Sequence, residues 1–558
     1  MQRMIVQAIK YWHTLRYLKQ EQIFGRLKYR LMRPKPDFAP APALRIATGL
    51  WVKPANRKPS LTGPGAFRFL NLNGELDHVG WHGGAREKLW RYNQHYFDDL
   101  NARGAEHRRE WHIPLIAGWV AQNRPAAGSG WEPYPTSLRI VNWTKWVCSG
   151  GVLDDAALQS LVVQIRWLTC RLEHHLLGNH LFANAKALIF AGCLFEGREP
   201  DMWLKLGFDI LNVQFSEQIL SDGGQFELSP MYHALALEDV LDLINITTYF
   251  SLACNRTQRQ QVVKWQSVAS DMIEWLRVMS HPDGEIAFFN DSSISVAPSP
   301  SELTAYAARL NVIPHEVDSA VSWLKVSGYI RISTNSAVLI ADVGRIGPNY
   351  LPAHAHADTL SFELSLNGRR IIVNSGTSIY GISAERIRQR GTEAHSTVMI
   401  DGLDSSEVWS GFRVARRAFP KNVLMLGDAM PLRVFAAHDG YARLKGKPIH
   451  SRSWALDHDC LTIADKVTGG GQHRLDIMFY LAPSVDAKHL PGGDIQLLHV
   501  ETRAIIATIH SETMIPITIE PATWHPEFGL SINNKRLRIR LDAELPVAHN
   551  TYICWTTP

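Results

Sequence analysis

The segment His354-Ala355-His356-Ala357-Asp358 holds the densest group of side chains able to do chemistry. On an extended backbone, residues two apart point to the same side, so His354 and His356 can act together. One ring can bind a metal while its neighbour transfers a proton; the alternative is a pair of solvent-facing loop histidines. Asn374 and His395 follow, and a β-sheet can bring both beside His356, giving nitrogen and oxygen ligands suited to zinc.

A second candidate site lies where two helical segments join, at Gly178-Asn179-His180. Polar side chains at such a corner are expected to point into a central cleft, which makes Asn179, His180 and Asn184 candidates for substrate binding. The alternative for Asn179 is an ordinary helix cap.

Tyr232 is the third candidate, because Ser229-Pro230 starts a helix and places this tyrosine in its first turn. A tyrosine at that position can simply anchor the helix against the core. The polar residues around it favour a substrate cleft instead, and they are Gln225, Glu227 and His233.

Earlier in the chain, aromatic residues alternate with amides and a cation. Sugar rings stack on aromatic faces and sugar hydroxyls bond to amides, so such residues are candidates for substrate binding, with packing between helices as the alternative. The candidates are Asn93, His95, Tyr96, Trp131, Tyr134 and Arg139.

Three arginines, Arg386, Arg388 and Arg390, precede His395. They are placed to lower the pKa of a nearby tyrosine or to bind carboxylates. A solvated loop is the alternative.

These residues need elements to position them, and the spacing of apolar residues divides the chain in two. Helical spacing runs from about residue 88 to residue 325, and segments 155–177, 180–195, 231–251 and 258–278 each accommodate a helix. Successive helices without strands between them predict an α/α toroid.

After Ser327 the apolar spacing changes to two. Residues 360–366 alternate, Asn367-Gly368 supplies a two-residue hairpin turn, and residues 370–373 return. Further alternating runs at 461–466, 505–510, 515–520 and 537–541 predict a C-terminal antiparallel β-sandwich. We therefore divide the chain into an extension with a Pro-rich arm (1–60), a toroid (61–325) and a sandwich (326–558).

The composition of the chain excludes some classes of protein. The 558 residues are 46% hydrophobic and 20% charged, which excludes global disorder, and a net charge of +5 does not indicate nucleic acid as a partner. Six scattered cysteines predict free thiols rather than a disulfide framework. We expect no membrane span and, because no uninterrupted hydrophobic signal core is seen, a cytoplasmic chain by default, with periplasmic or exported placement left open.

Taken in order, several of these segments resemble the heparinase II/III-type polysaccharide lyases, including relatives encoded with capsule and surface-polysaccharide genes. The resemblance covers nearly the whole chain. Its segments are Tyr11 to Arg16, Asn93 to Tyr96, Gly178 to His180, Asp222 to His233, His354 to Asp358 and Ala394 to Thr397. It implies a toroid, a β-sandwich and an active site in the cleft between them.

The resemblance also implies roles for single residues. Asn179 would bind the uronate carboxylate, Tyr232 would be the catalytic base or acid, and His354 would share proton transfer with it. His356 and His395 would ligate a structural metal, usually zinc. Relatives commonly have an aspartate as third ligand where this chain has Asn374, and a neutral amide is a poorer zinc ligand.

We therefore expect an enzyme, a lyase that cleaves a uronate-containing acidic polysaccharide by β-elimination and leaves an unsaturated uronate. One alternative is a glycoside hydrolase on a toroid scaffold, using two carboxylates from among Glu132, Asp222, Glu227 and Asp291. The other is a non-catalytic glycan-binding component of surface-polysaccharide assembly.

Overall fold

The computed structural model describes residues 2–315, 319–426, 430–512 and 515–556. A helical first half is followed by two large antiparallel sheets, which confirms the predicted toroid and sandwich. The helices are α1 (Gln2–Leu15), α2 (Gln20–Leu31), α3 (Leu76–Val79), α4 (Lys88–Tyr96), α5 (Arg109–Gln122), α6 (Pro133–Cys148), α7 (Asp155–Thr169), α8 (Gly178–Leu194), α9 (Arg198–Gln218), α10 (Pro230–Tyr249), α11 (Arg256–Val278), α12 (Pro300–Arg309) and α13 (Ala384–Arg390).

The strands form a small sheet near the start of the toroid and the two sheets of the sandwich. They are β1 (Leu61–Gly63), β2 (Ala66–Phe69), β3 (Leu72–Glu75), β4 (Val321–Leu324), β5 (Tyr329–Ser333), β6 (Ala337–Asp342), β7 (Phe362–Leu366), β8 (Arg369–Val373), β9 (Val398–Ile400), β10 (Val408–Trp409), β11 (Arg413–Val414), β12 (Pro420–Leu426), β13 (Leu432–His438), β14 (Ile449–Leu456), β15 (Cys460–Thr468), β16 (Gln472–Leu481), β17 (Val485–His489), β18 (Ile495–His499), β19 (Ile505–Ser511), β20 (Ile517–Trp524), β21 (Ile532–Glu544) and β22 (Val547–Cys554).

Helices of the toroid start where the sequence supplies a cap. The side chains of Asp154, Ser229 and Asn255 accept hydrogen bonds from the first turns of α7, α10 and α11. Helix α8 is buried along nearly its whole length. Helix α9 packs closely on it because Gly207 has no side chain, and a Cβ atom there would lie only 2.9 Å from the carbonyl oxygen of Ala185. The first turn of α8 is thereby fixed at the centre of the helical half.

The sandwich consists of an eight-stranded sheet, ordered β12-β13-β14-β15-β22-β19-β18-β17, and a nine-stranded sheet. The second sheet is ordered β20-β21-β16-β8-β7-β6-β5-β4, with β9 paired to β16. Trp454 of the first sheet meets Phe362 of the second, with ring centroids 6.4 Å apart. The predicted hairpin is present as β7 and β8, and both turn residues, Asn367 and Gly368, have positive φ, as a tight hairpin turn requires.

The predicted segment limits can be set against these elements. The last toroid helix, α12, ends at Arg309 and β4 begins at Val321, so the change of architecture falls near the predicted residue 325. The extension is partly helical, because α1 and α2 occupy its first half. Residues 32–60, all of them described, then cross the surface without a helix or strand, making one β-bridge from Leu44 to Phe195.

The expectation of free thiols is wrong for two of the six cysteines. Cys460 and Cys554 face each other on the paired strands β15 and β22 and form a disulfide. A separation of 94 residues in the sequence hid this pairing, because only the strand register brings the two together. Disulfides persist mainly in oxidising compartments, so this pair argues against the cytoplasmic expectation, which stays a prediction.

No helix in the described ranges combines the length and the apolarity needed to cross a bilayer.

Candidate active site

A cavity of about 1670 Å³ lies between the toroid and the sandwich. The toroid contributes Asn179 and Tyr232 to its wall, and the loops of the sandwich contribute His354 and Tyr380. Helices α1 and α2 close one side. The structure therefore brings the three predicted catalytic residues to one cavity, although they are separated by up to 175 residues in the sequence.

Tyr232, His354 and Tyr380 form the centre of this cavity. The rings of Tyr232 and His354 lie 3.9 Å apart between centroids, and the two tyrosine hydroxyl oxygens are 3.0 Å apart. The Tyr380 hydroxyl is also 3.5 Å from Nδ1 of His354. Ser229 fixes the position of Tyr232, because its side chain accepts a hydrogen bond from the Tyr232 amide at 3.1 Å and donates one to the carbonyl of Asp291.

Asp291 lies behind the cavity wall and binds the side chains of His354, His356 and Arg386. This fully buried carboxylate accepts hydrogen bonds from Nδ1 of His354 at 2.9 Å and from Nε2 of His356 at 2.8 Å. Both of its oxygens are also bonded to Arg386, one of them at 2.6 Å from Nη2. Burial opposes ionisation, but Arg386 and the two imidazoles outweigh it and hold the pKa of Asp291 well below its usual range.

The ionised Asp291 decides which nitrogen of His354 is available. Because Nδ1 donates to Asp291, a neutral His354 carries its lone pair on Nε2. That atom lies 3.8 Å from the carboxylate of Glu227, another residue of the cavity wall. His354 is thereby prepared to accept a proton from a molecule in the cavity.

The two tyrosines keep their protons in this environment. Burial raises the pKa of Tyr232 well above its usual value, and the neighbouring Tyr380 raises it further. Burial likewise raises the pKa of Tyr380, although Arg386 lies 4.9 Å from its ring centroid and acts in the opposite direction. Tyr232 therefore presents a neutral phenol, which can donate a proton.

Asn179 lies in the first turn of α8 and is half-buried at the cavity wall. The residue at the cap position is Leu177, with φ +63°, so Asn179 is not the helix cap. His180 follows it, with Nδ1 3.1 Å from Glu173, and although burial opposes the shift, this carboxylate raises the pKa of His180. The turn therefore offers an amide, an imidazole whose pKa is raised and the backbone N–H groups of a helix start to an anion.

Glu227 is nearly fully buried beside these groups. One of its oxygens accepts a hydrogen bond from Gln225 at 3.3 Å, whereas Oε2 has no hydrogen-bond partner among the described residues. Burial raises the pKa of Glu227, against the opposing attraction of His354.

Asn93, Tyr96 and Tyr134 of the predicted aromatic and amide group line the cavity. The Tyr134 ring lies 4.6 Å from that of His180.

Three residues of the same group are corrected to packing roles. Arg139 is fully buried, donates to the carbonyl of His95 at 3.1 Å and stacks on Trp119. His95 in turn accepts a hydrogen bond from Trp119 at 3.0 Å, and Trp131 packs on the other side of Trp119. The sequence could not separate these residues from the cavity residues, because both sets carry the same residue types.

Three further residues predicted for the cleft lie behind its wall instead. Asn184 is fully buried and bonds the backbone and side chain of Glu173, which holds the loop before α8. His233 points to the far side of α10 from Tyr232, where its Nδ1 accepts from the backbone of Gln225 at 3.2 Å. The Gln225 side chain is buried and fixes Glu227 rather than contacting a substrate.

Of the three arginines, Arg386 alone contacts Asp291 and Tyr380. Arg388 and Arg390 are corrected, since neither lines the cavity. Arg388 bonds Glu385 and two groups of the sandwich, and the buried Arg390 donates to the carbonyl of Ala355 at 3.1 Å. Arg390 therefore supports the loop that carries His354. The three arginines occupy every second position of the seven-residue helix α13, so they point to different sides of it. The spacing alone does not show which of them faces the cavity.

Two of the three predicted metal ligands lie together, and the third is corrected. His356, Asp358 and His395 place one ligand atom each within 4.8 Å of one another, all fully or nearly fully buried. The Asn374 side chain instead donates to the carbonyl of Phe288 and accepts from the Ser396 amide, so it connects backbone segments. Asp358 supplies the oxygen that was expected from Asn374.

The nitrogen atoms of this cluster fit a metal site. Nε2 of His356 bonds Asp291, while its Nδ1 and both ring nitrogens of His395 are buried without a hydrogen-bond partner among the described residues. Burial lowers the pKa of both rings, so they are neutral, as metal ligands must be. Unpaired buried nitrogens are costly, and a cation held with Asp358 would satisfy them.

Two central residues, Asp291 and Tyr380, are not predicted for this site from the sequence. Among the sequence expectations, Asp291 stands only with the carboxylates of the hydrolase alternative. Neither lies in a motif with its own chemical signal; Tyr380 follows β8 in a loop of small residues. Only the folded arrangement brings both to His354.

Comparison with known proteins identifies the family. The Heparinase II/III N-terminus model matches residues 93–317, and the Heparinase II/III-like C-terminal model matches residues 316–555. The chain belongs to the heparinase II/III-type family.

Among curated proteins, the chain is similar to the heparin-sulfate lyase of Bacteroides stercoris, at 25% identity over 54% of this chain and 46% of the relative. It is also similar to FtsZ-localized protein C of Caulobacter vibrioides, at 25% identity over 57% of this chain and 53% of the relative. The chain thus spans about half the length of these two relatives.

A crystal structure of heparinase III shares the fold, with a TM-score of 0.66 and 15% identity over 86% of this chain and 79% of that one.

Replacing Asp291 by Asn should destabilise the fold severely, because it leaves Arg386 buried without a counter-charge. We expect a loss of about 3–5 kcal/mol in the free energy of unfolding, measured by denaturant titration. Asp209→Asn, which breaks an exposed pair with Lys205, is the control and should cost less than about 1 kcal/mol. Equal midpoints for Asp291→Asn and the unmodified chain would refute the role assigned to Asp291.

Proposed function

We propose that this chain is a polysaccharide lyase that cleaves a uronate-containing acidic polysaccharide by β-elimination. The observation that carries the proposal is the contact between Tyr232 and His354, whose ring centroids lie 3.9 Å apart in the cavity that Asn179 also lines. The names of the heparin-sulfate lyases among its relatives support the same reaction class.

The first requirement of the reaction is to make the C5 proton of the uronate acidic. The amide of Asn179 donates a hydrogen bond to the substrate carboxylate, and the first turn of α8 adds a favourable dipole. These interactions strengthen as negative charge moves onto the carboxylate, which makes them specific to the transition state.

The second requirement is a base and an acid near the same sugar. Nε2 of His354 takes the proton from C5, because Nδ1 is occupied by Asp291. Tyr232 gives its proton to the bridging oxygen as the C4–O4 bond breaks and the C4–C5 double bond forms. One chain end gains the unsaturated uronate, the other gains a hydroxyl, and no water is consumed.

The geometry disfavours the hydrolase alternative. Asp291 is fully buried in an ion pair, and Asp222 bonds the backbone and side chain of Ser327, so neither faces a substrate. Glu132 and Glu227 line the cavity, but Glu132 is paired with Lys88. No two free carboxylates among the described residues flank the position between Tyr232 and His354.

Charge in the cavity narrows the substrate class that we propose. Its lining carries nine carboxylate side chains and eight lysines and arginines, so it is not strongly basic. A densely sulfated glycan needs an excess of cations to offset its charge. We therefore propose a polymer with uronate carboxylates and few sulfates, such as a capsule or other surface polysaccharide.

We also propose that His356, Asp358 and His395 hold a divalent metal ion, with zinc favoured by two imidazoles and a carboxylate. When bound, such an ion supplies positive charge that stabilises the buried carboxylate of Asp358. The chain's own residues transmit its effect to the cavity: His356 bonds Asp291, which orients His354.

Tyr232→Phe removes the proposed acid and should reduce kcat by about 10²- to 10⁴-fold while leaving polysaccharide binding intact. The product is followed by the ultraviolet absorbance of the new double bond, conjugated with the carboxylate. Tyr249→Phe, at the other end of the same helix and outside the cavity lining, is the matched control and should keep full activity. Undiminished cleavage by Tyr232→Phe would exclude Tyr232 as the acid.

The charge argument is tested with one polymer in two forms, heparin and the same chain chemically desulfated. We expect kcat/KM to be at least about tenfold higher for the desulfated form, with the preference shrinking as salt is added. Faster cleavage of the sulfated form would contradict the proposed substrate class.

The metal site is tested by elemental analysis of the purified chain. We expect about one zinc ion per chain, and His395→Ala should lose it and lower the Tm. His458→Ala, an exposed histidine of the sandwich, is the control and should retain the metal. Full metal content in His395→Ala would rule out this ligand set.

A further inference from the structure

Helices α1 and α2 turn their apolar faces to solvent. In α1 the large apolar side chains recur at helical spacing and share one face, and Trp12 on this face is 66% exposed. In α2 the same holds around Phe24, which is 67% exposed. The exposed apolar residues that do not line the cavity are Met4, Ile5, Ile9 and Trp12 of α1, and Ile23, Phe24, Leu27 and Leu31 of α2. We call these eight residues the outer apolar face.

The inner sides of the two helices hold them in this orientation. Thr14 donates to the carbonyl of Val414 at 3.1 Å and accepts from Nε1 of Trp409 at 3.2 Å. In α2, Gln22 is buried and Tyr29 packs on His175 with ring centroids 4.2 Å apart. The helices are therefore attached by polar and aromatic groups, and rotating the apolar residues inward would break these contacts.

The same region is strongly basic. Residues 4–35 contain eight lysines and arginines and one acidic residue, Glu21, giving a net charge of +7 with histidine neutral. The whole chain has a net charge of +5, so this segment alone exceeds it and the remainder is slightly acidic. On α2, Lys28 and Arg30 flank the outer apolar face on its two sides, and both are exposed.

We propose that the outer apolar face is a docking surface for an anionic lipid bilayer, with α1 and α2 lying in the plane of the interface. Large apolar side chains flanked by cations are the features of interfacial helices, which bury the first and pair the second with lipid phosphates. Helices of 14 and 12 residues suit this arrangement and are too short to span.

The charge distribution argues against a second copy of the chain as the occupant. A symmetric contact through this face would set one segment of charge +7 against another. An anionic bilayer instead complements the exposed cations beside the face, Lys28 and Arg30.

Docking would also orient the cavity. Tyr11, Leu18 and Arg26 of the same region line the cavity, so a bilayer on the outer face would lie close to its entrance. A polysaccharide anchored at the bilayer would then be within reach, a consequence that depends on the proposed lyase function, whereas the docking itself does not.

The test is sedimentation of the full chain with vesicles. We expect the chain to sediment with vesicles of phosphatidylglycerol and phosphatidylcholine, to remain in the supernatant with phosphatidylcholine alone, and to be released by salt. The double variant Trp12→Glu/Phe24→Glu should bind the anionic vesicles at least about tenfold more weakly. Leu252→Glu/Val152→Glu alters two equally exposed residues elsewhere, and this control should bind as the unmodified chain does.

Neither Trp12 nor Phe24 lines the cavity, so the double variant should keep its Tm and its rate on a soluble oligosaccharide. This readout separates failure of docking from failure of the proposed reaction. An unmodified chain that stays in the supernatant with anionic vesicles would overturn the proposal, as would equal binding by the double variant. A dimer in solution that the double variant converts to monomers would assign the face to a second copy instead.

Discussion

A buried charge pair, Asp291 with Arg386, is the interaction on which the site depends. Two ionised groups without solvent are tolerated only when their hydrogen bonds are satisfied, and Asp291 has donors from Arg386, His354 and His356. Asp291 follows the long helices of the toroid, whereas these donors belong to the sandwich half, Arg386 to α13 and both histidines to the loop before β7. The pair therefore joins the two halves of the molecule at the point where the cavity forms.

The buried pair of Asp291 and Arg386 also explains why the groups around the cavity differ in protonation. The carboxylate fixes Nδ1 of His354 as a donor and leaves Nε2 to face the cavity. It also adds to the burial that keeps Tyr232 protonated, since Asp291 raises the pKa of that phenol. One buried anion thus prepares a base and an acid side by side, which is the arrangement that a β-elimination needs. His356 extends the same network to the candidate metal site.

Local sequence signals predicted the elements well. The Asn367-Gly368 turn and the alternation around it specify the hairpin, and Ser229-Pro230 specifies the start of α10 and so the place of Tyr232.

Residue types alone did not show which side chains face the cavity. Arg139 and His95 have the same character as Asn93 and Tyr96, yet they pack behind the wall. The resemblance predicted a ligand at Asn374, but its amide bonds the backbone, and Asp358 lies by the histidines instead. These outcomes depend on which side of an element faces the cavity.

Of the partners of His354, Tyr232 was predicted, whereas Asp291 and Tyr380 could not be, because they come from other segments with no shared pattern. The amphipathic character of α1 was visible in the sequence, but its direction was not. Apolar spacing normally marks the side that faces the core, and here the side chains of Thr14 and Gln22 hold the opposite side inward. Contacts with the sandwich loops and the toroid determine which side of each helix faces inward, and the residues that make them lie far from these helices in the sequence.

The central claim is that the cavity carries out an elimination rather than a hydrolysis. The most direct test is mass spectrometry of the two products formed from a uronate-containing oligosaccharide of defined length. Elimination predicts that the masses of the two products sum to the mass of the parent oligosaccharide, with the unsaturated sugar at the new non-reducing end. A sum equal to the parent plus one water molecule would show hydrolysis and contradict the account.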